Sequence, residues 1–160
     1  MLNRIVAVCA GLLLALPASL VAQDEAFYGT WVLNLATSSI TRGGPPKGET
    51  VVNAAEPGGF RSTLTVLGDR GTSVEIQHFI FDGAFHASEG SDPRELSVRR
   101  IDRTTIEQQT RRNGQITVTR RIQLSPDGRT MTYVASGTSG ERLEVHQRYA
   151  GLRETVEAGT

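Results

Sequence analysis

Apolar and polar residues alternate along most of this chain, and the alternation breaks every few residues at Gly, Asn or Asp. A period of two sustained over four to eight residues predicts a strand with one buried face. Ten strands follow, near residues 29–35, 49–55, 61–67, 72–81, 84–87, 95–101, 105–111, 115–124, 130–137 and 142–149. Asn113-Gly114, Asp82-Gly83 and Pro126-Asp127-Gly128 supply tight turns, because such residues accept the positive φ that matches strand twist. Residues 68–71 and 137–140 make slightly longer loops. No stretch carries a sustained i, i+3, i+4 apolar pattern. The five strands from Glu95 to Tyr149 read as an up-and-down meander, and closing a meander into a barrel removes its unpaired edges. The expected fold is all-β: a single antiparallel up-and-down β-barrel of about 8–10 strands, spanning residues 23–150.

Two stretches depart from the alternation at the ends, and one in the middle. Met1 to Arg4 is a short basic region, residues 5–16 are apolar, and Pro17 to Ala22 supplies a helix breaker followed by small residues. That order is the pattern of a secretory signal peptide, expected to be cleaved after Ala22, with a cut after Ala18 or a retained anchor as alternatives. The apolar run is shorter than the roughly 20 residues a membrane span needs. The mature protein is then expected in the periplasm or outside the cell, without stable membrane insertion. Residues 36–49 are rich in Ser, Thr, Gly and Pro and read as a loop, with room for one helical turn, long enough to cover a barrel end. Residues 151–160 carry too few apolar side chains to dock and read as a flexible tail.

Composition narrows the chemistry. Cys9 is the only cysteine and leaves with the leader, so the mature chain has no disulfide and no thiolate ligand. The 17 basic and 17 acidic residues balance, which gives no general argument for nucleic acid or an anionic membrane as partner. His78, His86 and His146 lack a metal-ligand spacing, so no metal and no cofactor is expected. No nucleophile elbow or phosphate loop is present, and Glu75, Glu107 and Glu144 fall on the faces read as outer. The chain is therefore read as a non-enzyme.

Gly29-Thr30-Trp31 at the first strand resembles the Gly-x-Trp opening of the lipocalin and fatty-acid-binding-protein group. The chain is also similar to short exported bacterial proteins described as lipocalin-like. They share Gly-Thr-Trp-x-Leu-Asn (residues 29–34), Pro45-Pro46-Lys47, Arg-Ile-Asp (100–102) and a Ser-x-Asp-Gly-x-Thr hairpin (125–130). The resemblance implies a barrel that binds a small hydrophobic or amphipathic molecule. It also implies that Trp31 is core, with a basic residue of the last strand, here Arg148, packed across it. One departure stands out: residues 36–49 are too short and too rich in Pro and Gly for the helical hairpin of fatty-acid-binding proteins.

Face assignment by alternation picks out candidate site residues. Arg120 shares a face with Ile116, Val118, Ile122 and Leu124, and Arg100 with Leu96 and Val98. Gln108 shares a face with Ile106, and Tyr133 with Met131. His78 falls with Val74, Ile76 and Ile80, and Tyr149 with Leu143, Val145 and Gln147. Phe79 and Phe81 fall on the opposite face, over a second apolar surface or after a change of register at His78. One polar residue recurring on an apolar inner face suits a cavity better than a dry core, because an unpaired buried charge is costly. Arginine is suited to a carboxylate by its planar fork. Arg120 and Arg100, with Tyr149 or Tyr133 beside them, are thus candidates to receive the anionic end of an amphipathic ligand. A bulge would turn either arginine outward. A side-chain-filled barrel acting through its surface in the cell envelope is the alternative.

Overall fold

The structure, a computed structural model, describes residues 25–41, 44–90, 94–138 and 140–149. The expected signal peptide (1–22) and tail (151–160) lie outside the described residues. Among the described residues a 3₁₀ turn, Glu25–Phe27, is followed by twelve strands. They are β1 (Gly29–Leu33), β2 (Ser39–Ile40), β3 (Gly48–Glu56), β4 (Gly59–Gly68), β5 (Gly71–Ile80), β6 (His86–Ala87), β7 (Glu89–Gly90), β8 (Glu95–Arg100), β9 (Thr105–Arg112), β10 (Gln115–Leu124), β11 (Thr130–Gly137) and β12 (Arg142–Arg148). Each of the ten expected strands has a counterpart. The two additions, β2 and β7, are two residues long.

All strand pairs are antiparallel, and the order β6-β8-β9-β10-β11-β12-β1-β3-β4-β5-β7 runs almost fully round a barrel. The circle breaks between β5 and β8. There a strap from His86 to Gly90 spans the break, its first half paired to β8 (His86↔Leu96) and its second half to β5 (Ile76↔Glu89). Ser88, between the halves, is buried; its N–H donates to the Arg94 carbonyl at 2.7 Å and its Oγ accepts from the Arg94 N–H at 3.1 Å.

Local chemistry fixes the register. Asn113 and Gly114 both take positive φ, 49° and 76°, as the β9–β10 hairpin requires. The ladder of β10 slips between Ile116 and Val118, and Gly137 lies against this bulge. A Cβ on Gly137 would come within 2.1 Å of the Thr117 carbonyl, so only glycine fits there.

One end of the barrel is solid. Phe27 stacks on Phe60 (5.9 Å between centroids), which stacks on Phe79 (4.6 Å), and Phe81 meets Phe60 edge-on. Val98, Ile106, Ile122, Leu124 and Met131 fill the remaining space. Trp31 is fully buried and donates from Nε1 to the Phe27 carbonyl at 2.9 Å. Arg148 lies over its ring at 4.3 Å and donates to the carbonyls of Ala26, Tyr28 and Gly128. This latch ties the 3₁₀ turn to the barrel floor, as the resemblance implies for Trp31 and a basic residue of the last strand.

Two strands present the opposite face to the expected one. On β5 the inward residues are Glu75, Gln77 and Phe79, whereas Val74 is half exposed and His78 points outward. On β12 the inward residues are Glu144 and His146, whereas Leu143 and Tyr149 are exposed. The expectations that His78 and Tyr149 face inward, and that Glu75 and Glu144 face outward, are corrected. The physical reason is that half of this interior is polar, so the apolar set of a strand need not be its inner set.

Phe60→Ala removes the central ring of the stack, so it should destabilise the fold by about 3–5 kcal/mol in urea unfolding. Val134→Ala, at an exposed outer position, should change stability by less than about 0.5 kcal/mol.

Candidate functional site

The end opposite the aromatic plug is open and holds a cavity of about 650 Å³. Its floor is a hydrogen-bonded bridge across the barrel: Gln108 donates from Nε2 to Gln77 Oε1 at 3.0 Å, and both side chains are buried. Its rim includes Gly44, Pro45 and Pro46 ahead of β3 and the β4–β5 turn around Asp69 and Arg70. The Pro-rich loop thus borders the open end of the barrel, and no helix occurs among its described residues.

The walls differ in chemistry. Val51, Leu64, Val66 and Phe79 make an apolar surface on the β3–β5 side. The β10–β12 side carries Arg120, Tyr133, Arg142 and Glu144, with Glu49 of β3 completing the charged ring beyond β1. Most of the charges are matched. Arg142 pairs with Glu144 at 3.0 Å and Arg94 with Glu75 at 2.8 Å. His146, fully buried, shares a hydrogen bond between its Nε2 and Glu49 Oε1 at 2.7 Å.

Arg120 is the exception. Its NH1 donates to Gln108 Oε1 at 3.0 Å, its Nε is buried without a partner, and its guanidinium carbon lies 5.6 Å from the centre of the Tyr133 ring. No carboxylate among the described residues forms an ion pair with it. Tyr133 is buried, with its hydroxyl 3.6 Å from the Met131 sulfur. Burial pushes the phenol well above the ordinary tyrosine range, Arg120 lowers it, and Glu49 and Glu144 raise it further. Tyr133 is therefore a neutral wall of the cavity at any physiological pH.

The six expected site residues separate into three groups. Arg120, Tyr133 and Gln108 converge on the cavity or its floor. Arg100 sits one layer below, stacked on Phe81 at 4.4 Å and outside the cavity lining, so it does not join Arg120. His78 and Tyr149 lie on the outside of the barrel, as corrected above. The residues that alternation missed are Glu49, Glu75, Gln77, Arg94, Arg142, Glu144 and His146. For β5 a signal existed: Phe79, the largest apolar side chain of the strand, belongs to the face of Glu75 and Gln77.

Known proteins place the fold. No family model matches this chain, and no curated protein matches it. Solved structures do. A fatty-acid-binding protein of Schistosoma mansoni in complex with arachidonic acid aligns over 80% of this chain and 99% of its own, at 13% identity and a TM-score of 0.56. The barrel has the fold of the fatty-acid-binding proteins. Fatty-acid-binding protein 1 of Echinococcus granulosus aligns over 79% of this chain and 99% of its own, at 10% identity and a TM-score of 0.57. The REP1-NXSQ fatty acid transporter aligns over 78% and 97%, at 11% identity and a TM-score of 0.57. At these identities the likeness is one of fold, which fixes the container and leaves its contents to the residues above.

On the outer surface His78 contacts Glu56 (3.0 Å) and Glu89 of the strap (3.5 Å). The hydrogen bond to Glu56 raises its pKa most, burial opposes this, and Glu89 adds to the rise. A raised folded-state pKa stabilises the fold fully below the unfolded value of about 6.5, and that stability is lost as pH climbs through the raised value. In urea unfolding, His78→Asn should therefore cost stability at pH 5.5 and almost none at pH 9.

Proposed function

We propose that this protein is a non-catalytic binding barrel that holds one small amphipathic molecule in its open half, with an acidic group of that molecule on Arg120. The observation that carries the reading is the pairing of the cavity charges. Arg94 and Arg142 each have a carboxylate, whereas Arg120 has the neutral amide of Gln108. An amide oxygen does not neutralise a guanidinium, and a ligand carboxylate would take its remaining donors as a fork. The apolar body of the ligand would lie against Val51, Leu64 and Val66 on the facing wall. A cavity of about 650 Å³ falls within the range of small-molecule sites. The structural neighbours support this ligand chemistry, since they are named for binding or transporting fatty acids, which are amphipathic acids.

The reading extends to location: the basic, apolar and small-residue order of residues 1–22 supports export of the mature barrel, to the periplasm or the medium. A second reading, a barrel that works through its surface, draws support from the solid aromatic end. The cavity favours the first.

Titration calorimetry with decanoate and related eight- to twelve-carbon acids tests the binding. Arg120→Ala should weaken binding by about 10- to 100-fold, the worth of a charged hydrogen bond of roughly 1.5–3 kcal/mol. Tyr149→Phe, on the outer surface, should leave it unchanged. Equal affinity of the folded Arg120→Ala protein, or no binding of any acid by the wild type, would favour the surface-acting reading instead.

A further inference from the structure

We propose that the ligand of this cavity is a hydroxy acid, whose hydroxyl, on the second or third carbon, is held by Gln77 and Ser62 while Arg120 holds the acid; this rests on the binding reading above. The basis is the chain of hydrogen bonds across the cavity floor. A guanidinium has donors only, so the atom of Gln108 that meets Arg120 at 3.0 Å is the amide oxygen. The amide nitrogen of Gln108 therefore faces Gln77, and it donates to the Gln77 oxygen at 3.0 Å. Each orientation follows from the one before. What is left over is the amide nitrogen of Gln77, whose two N–H groups have no hydrogen-bond partner among the described residues.

Ser62 stands beside this amide. It is the register partner of Gln77 on β4, and directly opposed side chains of an antiparallel pair lie about 5 Å apart at Cβ. Its hydroxyl likewise has no hydrogen-bond partner among the described residues. Gln77 is 5% exposed and Ser62 4%, and both line the cavity. Polar groups this deeply buried are costly to leave unsatisfied. A ligand hydroxyl at this point accepts from the Gln77 amide and donates to the Ser62 oxygen.

Spacing sets where on the ligand that hydroxyl must be. Between Arg120 and Gln77 lie two hydrogen bonds of 3.0 Å and one amide group about 2.3 Å across, so their bonded atoms are at most about 8 Å apart. A carboxylate on Arg120 with a hydroxyl one or two carbons further on spans that gap. A hydroxyl at the far end of an extended ten-carbon chain lies beyond it. The inward face of β4 has the matching order of chemistry: Phe60 belongs to the plug, Ser62 to the floor, and Leu64 and Val66 to the apolar wall above. The polar head thus goes down, and the chain rises along that wall toward the open end.

Four acids of equal carbon number test this by calorimetry with the full folded protein at pH 7.5: decanoate and its 2-hydroxy, 3-hydroxy and 10-hydroxy derivatives. The 2- or the 3-hydroxy acid should bind about fivefold or more tighter than decanoate, as expected for one or two added hydrogen bonds. The 10-hydroxy acid should gain nothing. Gln77→Leu should abolish the preference and Ser62→Ala should cut it by about twofold or more. The ratio of hydroxy acid to decanoate is the quantity to read, since a general disturbance of the cavity lowers both affinities together. If decanoate equals or exceeds both the 2- and 3-hydroxy acids and still depends on Arg120, the hydroxyl site is wrong and the binding reading stands. If none of the four binds, both are wrong. An equal gain from the 10-hydroxy acid, or a preference unchanged in both folded variants, would overturn the place given to Gln77 and Ser62. Should Gln77→Leu not fold, an unchanged preference in Ser62→Ala alone does so.

Discussion

Three phenyl rings in line, Phe27 on Phe60 on Phe79, hold the closed end of this barrel together, and the open end depends on them. The rings come from three separated segments, the 3₁₀ turn, β4 and β5, so their contact sets how these parts of the wall approach. Stacked aromatic pairs add about 0.5–1.5 kcal/mol each beyond the apolar area they bury. Trp31 and Arg148 then lock the turn over the plug through one cation–π contact and three carbonyl bonds. With the lower half packed dry, the upper half does not have to supply a core. It can leave a space between its walls and put charges on them.

Those charges do little for stability. Buried ion pairs seldom repay their desolvation, and well-packed apolar residues in their place often leave a protein as stable or more so. Glu75, Arg94, Arg142 and Glu144 are thus better understood as the walls of a wet compartment than as braces. The bridge of Gln77 and Gln108 marks the boundary, with the aromatic plug and Arg100 below it and the paired charges of the cavity above. The plug fills the space below that bridge, which is the main way this interior differs from a simple greasy pocket.

The same boundary explains what could be read from the chain alone. Strand positions, the hairpin at Asn113-Gly114 and the barrel class were legible because period two and turn chemistry act locally. Phase was not, wherever the polar half of the interior reversed the usual rule. On β12 the sequence held the means of correction. Packing Arg148 across Trp31 turns residue 148 inward, and alternation then turns His146 and Glu144 inward and Tyr149 outward. On β5 the ladder with β4 sets Phe79 opposite Phe60, and the plug requires both inside. Arg120 was found because its strand keeps a bulge outside the stretch that matters, between Ile116 and Val118. Glu49 escaped because nothing in its neighbourhood along the chain distinguishes an inward glutamate from a solvated one.

The strap from His86 to Gly90 gives the barrel a property that a fully paired ring lacks. A continuous ladder has a fixed circumference, because widening it means breaking hydrogen bonds between strands. Here β5 and β8 are joined through a short intermediary, held by two residue pairs on each side and by the Arg94–Glu75 contact. The wall behaves as a split hoop with a clasp. Along that stretch the circumference is closed by five residues, His86 to Gly90, rather than by a long ladder.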